Sequence, residues 1–332
     1  MYKTMAGKFF PIIILSIVLL MPKIADSQVK KYAGKKILYV NSYHKGYYWS
    51  DGEQEGAEKA LAGSGVELKI VYMDTKNNPS EDFSKEAGLK VKNLIDEFKP
   101  DVLIVADDNA FKYVVMPYYR DAHLPVVFCG INWDASIYGV PYKNTTGMLE
   151  VSLVESTYNH LKKFAKGNRV GFLAFDSSNE RKNAEYYPPY FKDGSFSMEF
   201  VGDFESWKQK FLEFQNKADI LYLASPDGIK NWDMKEAEKF VLENVRIPVG
   251  ADAAPAILPL VLLGVTKDPQ EQGEYAVSTA LKILNGEKPS DIPIVKNKKG
   301  NLYLNLKIAE KIGAIFTPSM LRNAEEIISK EK

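Results

Sequence analysis

Cysteine is nearly missing from this chain: Cys129 is the one thiol in 332 residues. An intramolecular disulfide is therefore excluded, and the fold must be held by burial alone. Cys129 lies in an apolar strand pattern and reads as an inert buried thiol. Histidine is scarce too. His44, His123 and His160 fall on different candidate elements, without the spacing of a zinc site. Charge of one sign is not in excess, with 43 basic and 43 acidic residues. That balance leaves no basic stripe for a nucleic acid. Catalytic signatures are also missing: no GxSxG elbow, P-loop, GxGxxG or HExxH occurs. These absences point away from enzyme chemistry, and no cofactor or metal is expected.

Long hydrophobic runs are confined to the start of the chain. Lys3 and Lys8 precede an apolar run from Phe9 to Met21, and Ala25-Asp26-Ser27 offers small residues where a signal peptidase reads. Residues 1–27 thus read as a secretory signal peptide cleaved before Gln28. The run is shorter than the roughly 20 apolar residues that span a bilayer. No cysteine follows it, so a lipid-anchored form is not expected, and the location expected is the periplasm. Further on, Ile257–Val265 is too short to span and is broken by Pro259.

What fills the remaining chain is an alternation of short apolar strands and amphipathic helices. Ile37–Val40, Leu68–Met73, Val102–Ala106 and Pro125–Cys129 read as strands. Helices are predicted from Asp51, taken as the N-cap, and from Ser80 to Pro100. A second series follows, with strands at Val170–Phe175, Phe196–Val201, Ile220–Ala224 and Pro248–Gly250 and helices between them. Such βαβ alternation specifies parallel sheets covered on both faces. Two series of this size exceed one core, so two similar α/β lobes are expected. A helix at about 270–285, a short strand at Ile292–Val295 and two further helices close the chain. These pieces are too few for a third domain and are expected to return to the two lobes.

Ligands of open α/β sheets bind beyond the carboxyl ends of the strands. The first strand runs into Asn41, Ser42, Tyr43 and His44, with Tyr47, Tyr48 and Trp49 next. Other strand ends carry Asp107, Asp108, Asn132, Trp133, Asp176, Ser178, Ser225 and Asp252. Singly, such residues are ordinary turn and cap formers; as a recurring set they suggest a ligand site. The set is acidic and hydroxylic, and of five arginines only Arg181 stands near a strand end. A phosphorylated or dicarboxylate ligand would call for an arginine clamp. An ammonium group or several hydroxyls fit better, and a ligand carboxylate could rest on a helix N-terminus near Ser178 or Asp108. Tyr43, Tyr48, Trp49 and Trp133 either sandwich the ligand or pack the lobes.

Several segments resemble a known family. They are Leu124-Pro125-Val126-Val127-Phe128, the Asn144-Thr145-Thr146-Gly147 turn, and a tail running from Ala280 to Pro289 and through Ile292-Pro293. Asn305, Ala309, Gly313, Pro318 and Leu321 continue the likeness. The chain beyond the leader is similar to periplasmic substrate-binding proteins of the tryptophan/tyrosine-type ABC transporter family. Ser42 to Tyr47, Trp49, Gly56 and Asp107 to Ala110 more closely resemble its sensor-kinase-associated branch. The resemblance implies a type I periplasmic-binding-protein fold, with two doubly wound lobes joined by a three-crossing hinge. Lobe 1 would hold 36–147 and about 268–288, and lobe 2 about 148–267 and 289–330. It also implies a monomer that closes on a small polar ligand, an amino acid or related amine. Its partner would be an ABC permease or, alternatively, a membrane sensor histidine kinase.

Overall fold

The computed structural model describes residues 31–226, 228–252 and 255–329. The expected leader, Asp227 and the side chain of Ser178 lie outside the described residues. Among the described residues, thirteen strands make two sheets. The first series is β1 (Lys36–Asn41), β2 (Glu67–Tyr72), β3 (Val102–Ala106), β4 (Val126–Asn132) and β5 (Thr145–Glu150). The second is β6 (Val170–Phe175), β7 (Phe196–Val201), β8 (Ile220–Leu223), β9 (Val249–Ala251) and β10 (Leu263–Lys267). The remaining strands are β11 (Val295–Lys296), β12 (Gly300–Asn305) and β13 (Ala324–Ile328).

The first sheet runs β2-β1-β3-β4-β5-β11 and is parallel throughout. The second runs β7-β6-β8-β9-β10-β12-β13. Both therefore reverse strand order between their first and third strands, where α/β sheets open a crevice. The chain moves between the sheets three times: after β5, after β10 and between β11 and β12. This is a type I periplasmic-binding-protein fold.

Local chemistry explains the elements. Every residue of β3, VLIVA, is buried, as a parallel strand covered on both faces requires. Ser80 accepts the Phe83 N–H and starts the Glu81–Phe98 helix, which buries Ala87, Val91, Ile95 and Phe98 at steps of three and four. It ends where Lys99 turns left-handed (φ 53°) before Pro100.

The tail departs from expectation in two ways. Val295–Lys296, expected with the second lobe, pairs in parallel with Met148 and Leu149 of β5 in the first sheet. The last 30 residues also add strands where only helices were predicted: β12 runs antiparallel to β10, making the second sheet mixed, and β13 lies beside β12. The helices Leu306–Ile312 and Pro318–Asn323 are present between them.

The first helix also begins earlier than predicted. It spans Tyr48–Leu61, so Asp51 lies in its first turn and accepts the Gly46 N–H at 3.0 Å. Glu53 lies on the buried face of this helix. The helix crosses Pro269–Leu284 so closely that a Cβ on Gly273 would stand 1.8 Å from the Glu53 carbonyl oxygen. The helix that follows the second inter-sheet passage is thereby fixed against the helix that carries Trp49.

Candidate functional site

The loop after β1 is knitted to the start of the helical turn after β3. Ser42 Oγ donates to the Ala106 carbonyl at 2.6 Å and accepts the Ala110 N–H at 2.7 Å. Thr75 Oγ1 donates to the Ser42 carbonyl at 2.7 Å and accepts from Asn109 Nδ2 at 2.9 Å. Ser42 is wholly buried, and both hydrogen bonds of its hydroxyl are to backbone groups. These bonds hold the β1 and β3 ends side by side at the sheet's crevice.

Above them lies a cleft of about 270 Å³. Tyr43, Tyr47, Tyr48 and Trp49 form one wall. Asp107 and Asn132 stand at the ends of β3 and β4, and Glu150, Thr266 and Lys267 bring in β5 and the second sheet. Residues from both sheets thus line one space. Tyr43 meets Tyr47 edge to face at 5.4 Å, and Lys76 caps the pair, 4.1 Å from the Tyr47 centroid and 2.8 Å from its hydroxyl.

Charge under the cleft is mostly negative. Asp107, 2% exposed, adopts a left-handed backbone (φ 66°) that is unusual for a residue with a Cβ. Its Oδ2 is buried without a hydrogen-bond partner. Glu53 is fully buried, and neither of its oxygens has one. A Cβ at Gly130, itself at φ 71°, would lie 2.8 Å from Glu53 Oε1 and 2.9 Å from Asp107 Oδ1. The two carboxyls therefore converge on one point. Burial and the neighbouring Asp107 and Glu150 raise the Glu53 pKa well above the usual carboxylate range; the Trp49 indole N–H, near Glu53 but outside hydrogen-bond geometry, acts in the opposite direction. Burial, Glu150 and Asp108 raise that of Asp107, against Lys76 and Lys267.

Glu150 is joined to Lys267 by an ion pair that spans the two sheets. Burial opposes the charge on Lys267, but Glu150 beside it, with Asp252 and Tyr47, outweighs burial and raises its pKa. The ammonium also lies 5.3 Å from the Trp49 ring centroid. Among the described residues, no group of three or more His, Cys, Asp and Glu side chains is arranged to hold a metal.

The strand-end residues divide into three groups. Tyr43, Tyr48, Trp49, Asp107 and Asn132 line the cleft. Asp108 supports it: its carboxylate accepts from Asn132 Nδ2 and from the Tyr138 hydroxyl, each at 2.7 Å. The others stand outside the lining. Trp133 is 7% exposed and stacks on Tyr186 at 4.7 Å, within the core of the second lobe. Tyr187 is buried in that same core. Asp176 pairs with Arg181 at 2.7 Å. Asp252 is buried, with a raised pKa caused by burial and opposed by Ser152 and Lys267. Ser225 is half-buried beyond β8, and Ser178 opens the Ser178–Ala184 helix.

Sequence reasoning missed Glu53, Glu150, Thr266 and Lys267. Glu150 and Lys267 close strands β5 and β10, which were not recognised as strands, so the strand-end rule was never applied to them. Glu53 shares the buried face of its helix with Ala57 and Leu61 at steps of four, a spacing present in the helix expected from Asp51, but a strand-end rule does not reach a residue inside a helix.

Comparison with known proteins gives the same outline. The profile of the family described as "ABC transporter substrate binding protein" matches residues 214–328, the part that carries the tail motifs. No curated protein matches the chain significantly. Among solved structures, a ligand-free, open substrate-binding protein with adhesive properties from Clostridium difficile is 18% identical. It aligns with a TM-score of 0.68 over 89% of this chain and 100% of its own. An ABC domain in complex with L-Trp from Streptococcus pneumonia is 16% identical, with TM-score 0.56 over 89% of this chain and 99% of that one. A periplasmic ribose ABC transporter from Conexibacter woesei is 15% identical, with TM-score 0.58 over 90% and 100%. At these identities the likeness defines the fold.

Proposed function

We propose that the protein is an extracytoplasmic solute-binding protein that closes two lobes around a small polar ligand and delivers it to an ABC permease. The observation that carries this reading is a single cleft lined from both sheets. Tyr43 and Asp107 stand at the crevice of the first, and Thr266 and Lys267 belong to the second. A ligand touching both sides stabilises the closed arrangement, and a membrane partner can recognise that arrangement. The match of residues 214–328 to the substrate-binding family supports the transport partner. The ligand class is an amino acid or related amine, because buried carboxylates and aromatic faces favour an ammonium group. Residues 1–27 direct the chain to the periplasm, where it acts as a monomer.

Native mass spectrometry of residues 28–332 as purified, followed by thermal shift with amino acids, amines and sugars, tests the reading. A binder gains stability by mass action as ligand rises. A flat melting temperature across the panel, with no retained compound, would contradict it.

A further inference from the structure

We infer that the ligand is a small organic cation, a protonated amine with net positive charge and no carboxylate. This rests on the solute-binding reading and narrows it. Three features carry it.

First, a carboxyl group that lines the cleft has an oxygen without a partner, and a second unpaired carboxyl is buried behind it. Asp107 lines it with Oδ2 unpaired, and the fully buried Glu53 meets Asp107 at the point where Gly130 has no side chain. Unpaired carboxylates removed from water are costly, and two at one point cannot both ionise easily. An ammonium N–H donor at Asp107 would supply both the missing hydrogen bond and the opposing charge.

Second, among the described residues the cleft offers a carboxylate no free cation. Lys267, its one lining lysine or arginine, is paired with Glu150. Capturing a ligand carboxylate there would leave Glu150, 8% exposed, without its partner. Lys76 is held at the Tyr47 hydroxyl and ring. The backbone at the helical turn after β3 offers no substitute, because Asp107 and Asp108 already place two carboxylates in that turn. A zwitterion would therefore meet attraction at one end and repulsion at the other.

Third, Tyr43 and Trp49 line the same cleft as Asp107, and their rings already hold the ammonium groups of Lys76 and Lys267 at 5.0 and 5.3 Å from the centroids. Aromatic faces beside a desolvated carboxylate suit a cation with apolar methylenes.

Binding also moves a proton. The groups that bear on the Glu53–Asp107 pair are Glu150, Asp108, Lys76 and Lys267. With the carboxyls in excess, the empty site retains a proton between Glu53 and Asp107. An arriving ammonium replaces that proton, which leaves to solvent, so charge balances.

Isothermal titration of the full chain, with putrescine, agmatine and cadaverine against tryptophan, tyrosine, glutamine and ribose, tests this. At least one cationic probe is expected to bind at one site per chain. Its affinity should fall tenfold or more in Asp107→Asn and rise with pH between 5 and 8, as roughly expected for proton displacement. Repeating the titration in phosphate and Tris buffers should show proton release. Glu53→Gln, a second variant should Asp107→Asn fail to fold, should abolish that release. Binding of tryptophan, tyrosine, glutamine or ribose with none of the cations would overturn the inference while leaving solute binding intact. No binding by any probe would overturn both. Cation binding equal in wild type and both variants would also overturn it.

Discussion

Lys267 reaches from the end of β10 in the second sheet to Glu150 at the end of β5 in the first, and their ion pair bridges the two lobes beside the cleft. Both residues adjoin points where the chain passes between sheets, so the pair sits beside two of the three crossings between the lobes. Neither group is free in water: the Glu150 side chain is 9% exposed and that of Lys267 23%.

Removing one partner should therefore cost more than removing both. Lys267→Met is expected to destabilise the protein by about 3 kcal/mol, because Glu150 is left buried and unpaired. Glu150→Gln with Lys267→Met should recover much of that loss. Urea denaturation of the single and double variants measures the difference, and equal losses would remove the ion pair from the hinge account.

Trp49 and Trp133 should separate binding from stability. Trp133 is packed on Tyr186 in the core of the second lobe, so Trp133→Ala should cost about 3–5 kcal/mol in chemical denaturation. Trp49→Ala, on the cleft wall, should lower ligand affinity with a smaller loss of stability. Equal affinity losses in two folded variants would mean that both rings touch ligand.

Ser42 should prove structural. Ser42→Ala leaves the buried Ala110 N–H without its acceptor, at a cost of about 1–3 kcal/mol. A melt and a ligand titration on the same preparation check this. An unchanged melting temperature with lost binding would place Ser42 in the ligand site.

Glu53 should make the ligand-free protein less stable as pH rises. Its folded pKa is raised, so its contribution is full below the unfolded carboxylate range and is lost as pH climbs through the folded value. Compared with Glu53→Gln, wild type should lose melting temperature progressively above about pH 5. Parallel curves for the two proteins from pH 5 to 8 would exclude a buried, proton-holding Glu53.

The lobes were legible in the sequence because their strands are continuous apolar runs. Val102–Ala106 and Val170–Phe175 can hardly be read otherwise. The tail was harder, since β12 (GNLYLN) and β13 (AEEII) are half-exposed edge elements with weak patterns. The aromatic wall and Asp107 were visible as polar and aromatic residues past strand ends. The same rule also selected Ser42, Asp108 and Asp176, whose hydrogen bonds and ion pairs are intramolecular. Strand-end position alone does not tell a ligand contact from a turn. The electrostatic centre was hidden for another reason: Glu53, Asp107, Glu150 and Lys267 meet only through long-range folding, and no local spacing announces them.

The central claim is that one ligand is held from both lobes at once. Titration calorimetry with a ligand retained or identified by thermal shift, on wild type, Asp107→Asn and Thr266→Val, tests it most directly. Asp107 stands at the end of β3 in the first sheet and Thr266 on β10 in the second. The account expects one site per chain in wild type and weaker binding in each folded variant. Undiminished affinity in both variants would contradict it.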